Sequence, residues 1–194
     1  MNTFTDRQKQ IIEVAIQIIS EKGIQHLTIK RISERLTISE PAIYRHFDGK
    51  MELLLAILSH YKENRYFILK EILFDKASSI KKIESIFINH FRQFAANPAM
   101  AAVIFSEEIF QNDKRLAEQV TLIMQMNHDT ITDIIKKGQQ NRELRTDIPE
   151  KQLSLIIMGA LRLIVAKWRL SRYAFDLEQE GAALWRAIKK IIVV

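Results

Sequence analysis

The fold of this chain is decided by a short stretch, SEPAIYRHF, that runs from Ser39 to Phe47. Ser39 is a good helix-capping residue, and Pro41 falls in the first turn, where a missing amide hydrogen costs nothing. The apolar residues Ala42, Ile43 and Phe47 predict an inward face. Because a helix this short is not stable alone in water, we expect it to pack on neighbours and to present a polar face.

Two predicted helices precede this stretch. Thr5 and Gln8 have the form of a capping box, and Gly23 suits the position just past a helix end. The first helix is therefore predicted over 6–22. Thr28 then caps a second helix, and the turn between the second and third is only a few residues long. Three helices in this order make a helix-turn-helix layout.

The rest of the chain predicts longer helices. Three prolines and five glycines leave long segments in which apolar residues recur at helical spacing. The predicted ranges are about 50–73, 78–96, 98–111, 113–140, 149–171 and 176–192. No segment alternates with a period of two, so the fold class is predicted to be all-α, with about nine helices. A domain boundary is expected near Asp48–Gly49, which gives an N-terminal domain of 1–48 and a C-terminal domain of 49–194.

Composition narrows the class of protein. Of the 194 residues, 47% are hydrophobic and 27% charged, enough for a core and too polar for a membrane-embedded chain. No cysteine is present, which excludes disulfides and thiol chemistry. The N-terminus lacks the apolar stretch of a signal peptide, so we expect a soluble cytoplasmic protein that does not contact membranes. The net charge of +6 is compatible with an anionic partner but does not establish one.

The polar face of the third helix predicts DNA binding. Tyr44, Arg45 and His46 carry donors for phosphate oxygens, and an arginine on a helix in the major groove can also reach base edges. Further donors are expected close by, on Thr28, Ser39 and Lys50. Alternatives remain for single residues, because Tyr44 could be half-buried with a solvated hydroxyl and His46 could pack. Arg31 and Arg35 on the second helix are expected to be solvated.

The stretch LTIKRISERLTISEPAIYRHFDGKMELL, from Leu27 to Leu54, resembles the DNA-binding region of the tetracycline-repressor (TetR) family of bacterial transcriptional regulators. The run from Tyr44 to Phe47, followed by Lys50, is its most specific part. The resemblance implies a homodimer that binds a palindromic operator in double-stranded DNA and, as a repressor, is released by a small-molecule effector. It also implies that the C-terminal helical domain binds that effector and forms the dimer.

The resemblance also implies a role for most of the candidate DNA-binding residues. Phosphate contacts are implied for Thr28, Tyr44, His46 and Lys50. Contacts to bases are implied for Glu40, Pro41, Ala42 and Arg45. Two positions depart from the family pattern, Thr37 where a glycine is usual and Glu40 where a neutral or basic residue is common. Glu40 could accept from cytosine N4 or interact only with its helix dipole.

Phenylalanines and methionines recur along the predicted middle helices. This pattern predicts side chains that belong either to the hydrophobic core or to the lining of a ligand pocket. Small-molecule sites between helices use such side chains with a few polar groups. The candidate pocket residues are Phe87, His90, Phe91, Phe94, Phe105, Met124, Asn127 and His128. Any effector bound there is expected to be largely apolar.

The last two predicted helices have apolar residues on more than one face, which predicts a dimer seam. In the family this pair forms a four-helix bundle with its copy. The candidate seam residues are Leu155, Met158, Gly159, Leu161, Val165, Leu184, Trp185 and Ile188. Gly159 could admit a partner helix, or could equally serve packing within the subunit.

An enzyme is the first rival reading, and the sequence does not favour it. The five histidines show no pair at i, i+4, and Glu107 and Glu108 are adjacent, so their side chains diverge on a helix. We therefore predict no catalytic activity, no metal and no cofactor. The second rival is a TetR-like DNA-binding protein that acts through a protein partner, as nucleoid-occlusion factors do, without a small-molecule switch.

Overall fold

The computed structural model describes residues 4–106 and 113–193, and within them the chain is all-α. This described part contains nine α-helices, one short 3-10 turn and no β-strand, which confirms the predicted fold class. The helices are α1 Asp6–Lys22, α2 Ile29–Leu36, α3 Glu40–Tyr44, α4 Lys50–Phe74, α5 Ser79–Ala96, α6 Pro98–Ile104, α7 Lys114–Gln140, α8 Glu150–Leu170 and α9 Leu177–Ile192. None of these helices is long and apolar enough to cross a membrane.

The predicted helix ends are confirmed within a residue or two, with two exceptions. The third helix, whose predicted inward face reaches Phe47, ends at Tyr44. The helix predicted over 98–111 ends at Ile104, and Phe105 already has a non-helical backbone. The remainder of that prediction, including Glu107 and Glu108, lies outside the described residues.

Local chemistry explains the boundaries of α1. The hydroxyl of Thr5 accepts from the Gln8 amide, and the Gln8 side chain accepts from the Thr5 amide at 3.0 Å, so the predicted capping box is present. Gly23, just past the end, has φ of 85°, a value that favours glycine. Thr28 caps α2 by accepting from the Arg31 amide at 3.2 Å, as predicted.

The turn between α2 and α3 is closed by Thr37 in the left-handed conformation, with φ of 54° and ψ of 46°. Its amide donates to carbonyls at the end of α2, and Ile38 donates to the Ser33 carbonyl at 3.0 Å. This is the usual way to end a helix, but glycine or asparagine normally occupies the position. The departure from the family pattern therefore places a β-branched residue in a strained conformation.

The chain forms two compact units. Unit 1 contains residues 1–63 and 97–121, and unit 2 contains residues 64–96 and 122–194. The core of unit 1 includes Ile11, Ile32 and Ile43, each 0% exposed. The functional boundary expected at Asp48–Gly49 stays a prediction.

Helix packing in unit 2 places α9 against both α5 and α8. Buried side chains from these helices include Phe87, Phe91, Leu161, Val165 and Trp185. Gly181 on α9 faces Phe91, and this close approach depends on the absence of a side chain at residue 181.

Candidate functional site

The third helix presents a compact polar face on unit 1. Of the three residues predicted to face inward, Ile43 on α3 and Phe47 just beyond its end are 0% and 6% exposed, whereas Ala42 is only half-buried. The exposed candidates are Thr28, Ser39, Glu40, Pro41, Tyr44 and Arg45, and the half-buried ones are Ala42, His46 and Lys50. Among the described residues, the side chains of Tyr44 and Arg45 have no hydrogen-bond or ion-pair partner, so their donors are available to a ligand.

Backbone and side-chain bonds fix the position of this face. The His46 amide donates to the Ile43 carbonyl at 2.8 Å, and the Gln8 side chain reaches the His46 carbonyl at 3.5 Å. Ser39 occupies the N-cap position of α3, as expected, but its hydroxyl forms no capping bond. The hydroxyl is therefore not committed to the helix that it precedes.

Lys50, at the start of α4, has a structural contact that the sequence did not predict. Its ammonium donates to the Ile24 carbonyl at 3.0 Å, and partial burial lowers its pKa. An ammonium has three donors, and this bond uses one of them. Lys50 thus ties the first residue of α4 to the turn that follows α1, whatever else it contacts.

The two arginines of α2 form bonds to other residues of unit 1, contrary to the expectation that they are simply solvated. Arg35 makes a two-pronged ion pair with Glu21, with distances of 2.8 and 2.6 Å. Arg31 donates to the His26 carbonyl at 2.9 Å. The planar, forked guanidinium suits both contacts better than an ammonium would. These bonds join α2 to the end of α1 and to the turn that follows it.

In unit 2, the predicted pocket aromatics of α5 are buried together. Phe87, Phe91 and Phe94 are at most 2% exposed. Phe87 meets Phe91 edge-on, with ring centroids 5.0 Å apart, and lies 5.6 Å from the ring of Trp185. The sequence assigned Trp185 to a dimer seam, whereas the structure packs it among the α5 aromatics.

The predicted polar residues of the pocket, His90 and Asn127, converge on a residue that the sequence reading missed. Arg65 of α4 is 0% exposed. Its Nε donates to Asn127 Oδ1 at 2.8 Å, one terminal nitrogen donates to Asn89 Oδ1 at 3.3 Å, and the other lies 2.7 Å from His90 Nδ1. We call these four residues the Arg65 cluster.

Chemistry fixes the protonation of His90 within the cluster. Burial first, and then the charge of Arg65, hold the pKa of His90 well below its usual range, so the imidazole is neutral. A guanidinium can only donate, so Nδ1 must accept and the ring hydrogen lies on Nε2. The 3.1 Å approach of Nδ1 to the Ile86 carbonyl is then a contact and not a hydrogen bond.

The remaining pocket candidates do not converge on the cluster. Met124 is 46% exposed, and Phe105 belongs to unit 1. The Ser154 hydroxyl lies 3.0 Å from His128 Nδ1, which places His128 beside α8. Only part of the predicted set therefore forms one site.

A groove of about 580 Å³ lies between α4 and α5 in unit 2. Its lining is mixed. The apolar side chains of Ile68, Ile72 and Ile88 lie beside Asn89 of the Arg65 cluster, and the remaining lining is polar or charged, from Glu71, Lys81, Glu84, Ser85 and Arg92. Its volume is within the range of small-molecule sites. The groove therefore offers a ligand a route to one acceptor of the cluster.

The seam candidates on α8 and α9 fall into two groups. Leu161, Val165, Trp185 and Ile188 are buried in the core of this single chain, because their side chains face the neighbouring helices. Met158 and Leu184 are half-buried, whereas Leu155 and Gly159 are exposed. These two helices also carry exposed apolar residues outside the candidate set, which are Ile156, Leu163, Leu170 and Ile191.

Three comparisons place the chain among known proteins. A model described as "Bacterial regulatory proteins, tetR family" matches residues 11–57, and one described as "YsiA-like protein, C-terminal region" matches residues 65–191. The fatty acid metabolism regulator protein of Bacillus subtilis (strain 168) is 21% identical, over 95% of this chain and 92% of that protein. The nucleoid occlusion factor SlmA of Marinomonas sp. (strain MWYL1) is 21% identical, over 74% of this chain and 73% of its own length. The crystal structure of transcriptional regulator FadR from Bacillus subtilis in complex with stearoyl-CoA superposes with a TM-score of 0.79, at 19% identity, over 93% of this chain and 96% of that one.

Proposed function

Since this chain belongs to the tetR family of bacterial regulatory proteins, which are DNA-binding transcriptional regulators, we propose that it is a homodimeric repressor that a small molecule releases from a palindromic operator. Because its partner is the chromosome, we expect it to act in the cytoplasm. A two-fold dimer predicts half-sites about 34–36 Å apart, or a multiple of that distance.

The observation that carries the proposal is the exposed face of α3. Tyr44 and Arg45 project from a helix whose Ile43 is fully buried, so the donors are held on a rigid base. We assign phosphate contacts to Thr28, Ser39, Tyr44, His46 and Lys50. We assign contacts to base edges to Glu40, Pro41, Ala42 and Arg45. Phosphate contacts set affinity and position, whereas base contacts set the preferred sequence.

The dimer seam is proposed on the exposed faces of α8 and α9. Leu155, Gly159 and Leu163 follow one another at intervals of four on α8, and each is exposed. On α9, Ile191 is 47% exposed. Apolar side chains at helical spacing favour a second copy of the same pair of helices, in a four-helix bundle. Trp185 is left out of this revised seam because its side chain is already buried.

The effector is proposed to be small and largely apolar and to bind in unit 2. Two sets of apolar side chains support a ligand that is apolar over most of its length. They are the buried aromatics Phe87, Phe91 and Phe94 and the isoleucines of the α4–α5 groove. The relative that binds stearoyl-CoA supports an acyl chain as one form of that body. The Arg65 cluster would face any polar group that the ligand carries.

Selection from a random pool of double-stranded DNA tests the function. Several rounds with the purified protein should enrich a palindrome. The logarithm of the binding constant for that site should fall linearly with the logarithm of the salt concentration, with a slope of roughly −0.9 for each phosphate contacted. Addition of stearoyl-CoA should then weaken binding to the selected site. A protein that enriches no sequence would refute operator binding.

The second candidate function is DNA binding that acts through a protein partner. The similarity to a nucleoid occlusion factor favours it. Under this alternative the selection still enriches a palindrome, but no acyl-CoA or other apolar ligand changes the affinity.

A further inference from the structure

Unit 1 has a cavity of its own, with a volume of about 460 Å³. It lies beside His46 and Phe47, just past the end of α3, and its walls come from the start of α1, the first turns of α4 and the first turns of α7. The volume is within the range of small-molecule sites. All of its lining residues belong to unit 1, so the cavity is separate from the α4–α5 groove of unit 2.

Part of the lining is apolar. Phe47 and Ala56 are buried, and Phe4 and Leu55 are half-buried. Half-buried apolar side chains on a concave surface leave area that a ligand can remove from water, which favours binding. A ligand of this cavity therefore has a small apolar body.

The charged part of the lining carries more carboxylates than cations. Among the described side chains that line the cavity, Glu52 and Glu118 are acidic and Arg115 is basic. Arg115 is already engaged, because it donates to Asp113 at 3.1 and 2.7 Å and to Glu52 through its other terminal nitrogen. These three groups together carry a net charge of −1. The ion pair of Glu118 with Lys114, at 3.6 Å, is exposed to water and therefore weak.

The hydrogen-bond acceptors left for a ligand are mainly carboxylate oxygens. The side-chain oxygen of Gln119 accepts from the Lys62 ammonium at 3.0 Å, so this neutral acceptor is engaged. Each carboxylate has about four lone-pair sites, and one ion pair leaves most of them available. An ammonium group has three donors and no acceptor, so it matches Glu52 and Glu118 in both charge and hydrogen bonding.

We propose that this cavity binds a small amine, in which a protonated amino group is attached to an apolar body. The ammonium lies at the carboxylate of Glu118, and the body covers Phe47 and Leu55. The whole chain has a net charge of +6, so the overall field of the protein repels a cation, and binding must come from the local carboxylates. The site is distinct from that of the proposed effector and does not depend on it.

The test uses three probes that share one phenyl ring and differ in charge, which are phenethylammonium, 2-phenylethanol and phenylacetate. Each is titrated into the full-length protein at pH 7 and constant ionic strength, and binding is measured by NMR. Phenethylammonium should bind with a Kd of about 1 mM, as expected for so small a ligand. Phenylacetate should bind about tenfold more weakly or worse, because its charge is repelled. Equal affinities for the three probes, or no binding of phenethylammonium, would overturn the proposal.

Two variants locate the bound amine. Glu118→Gln removes one carboxylate from an exposed position and should weaken phenethylammonium binding by about fivefold or more. Glu13→Gln is the matched control, since it removes the same charge from an exposed position of α1 outside the lining, and its affinity should equal that of the wild type. Ser59→Leu places a larger side chain in the lining and should also weaken binding. If Glu118→Gln and Ser59→Leu both bind the amine as tightly as Glu13→Gln, the amine is not in this cavity and the proposal fails.

Discussion

Gly181 lies directly against the ring of Phe91, so closely that a Cβ atom on residue 181 would sit 2.2 Å from Cδ2. Phe91 is 0% exposed and meets Phe87 edge-on, so its ring has little room to move. Because residue 181 has no side chain, the backbone of α9 lies directly against the Phe91 side chain of α5. Trp185, one turn further along α9, can then reach Phe87.

Gly181→Ala should therefore destabilise the protein, although alanine is normally the better helix former by about 1 kcal/mol. Overpacking a dense core costs about 1–3 kcal/mol, so we expect a net loss in the free energy of unfolding by urea. The control is the same substitution in a Phe91→Ala background, where the ring that the added methyl would meet is absent. An equal loss of stability in the two backgrounds would refute the close-packing argument.

Thr37→Gly should stabilise unit 1. A β-branched residue at φ of 54° is strained, and release of the strain should outweigh the extra chain entropy of glycine by about 1 kcal/mol. Thr37→Asn should show part of the gain, since asparagine tolerates this conformation better. The melting temperature is the measurement, and a lower value for Thr37→Gly would contradict the assignment.

Arg45→Ala should weaken operator binding by about 1–3 kcal/mol and relax sequence preference at one position of each half-site. Tyr44→Phe is the contrast, because it removes a phosphate donor and should weaken all DNA sequences alike. Anisotropy titrations against the selected operator and single-base variants measure both. A specificity profile for Arg45→Ala that matches the wild type would remove Arg45 from the base-reading set.

Leu163→Asp should convert the proposed dimer to a folded monomer. Leu163 is 62% exposed, so a carboxylate there costs the single chain little but would be buried in the proposed seam. Leu122→Asp, at a 52% exposed leucine on α7, is the matched control and should stay dimeric. Light scattering and circular dichroism report both properties. A dimeric Leu163→Asp would move the seam to another surface.

The buried neutral His90 makes stability depend on pH. Its pKa is lower in the folded state than in the unfolded chain, so below about pH 6.5 the unfolded chain binds the extra proton. Protonation of this group therefore does not lower the free energy of unfolding at neutral pH. As the pH falls below that value, the free energy of unfolding decreases by about 1.4 kcal/mol per pH unit, until the folded protein also binds the proton. Urea unfolding at several pH values should show a shallower loss for His90→Gln. Parallel curves for the two proteins would contradict a buried neutral imidazole.

Helix boundaries could be read from the sequence because they depend on neighbours in the chain. Thr5, Gly23 and Thr28 act within a few residues, and the structure places them as predicted. Arg65 was missed because arginine is usually solvated, and composition does not reveal a buried one. Its place between Tyr61 and Leu69 on the inward stripe was the available signal.

The seam could not be read from the sequence for a different reason. An apolar stripe has the same pattern whether it packs inside one subunit or against another. Trp185 and Leu163 look alike in sequence, and only the packing of α5 distinguishes a 2% exposed side chain from a 62% exposed one. The pocket set was mixed for the same reason, since Phe105 and Phe87 occupy different units.

The bond from Lys50 to the Ile24 carbonyl has an evolutionary consequence. The acceptor is a backbone oxygen, which every amino acid supplies, so mutations at position 24 leave the bond intact. The donor is a side chain, and few substitutions can replace it. Selection on this contact therefore acts on position 50 and leaves position 24 free to drift, so relatives should vary at the acceptor more than at the donor.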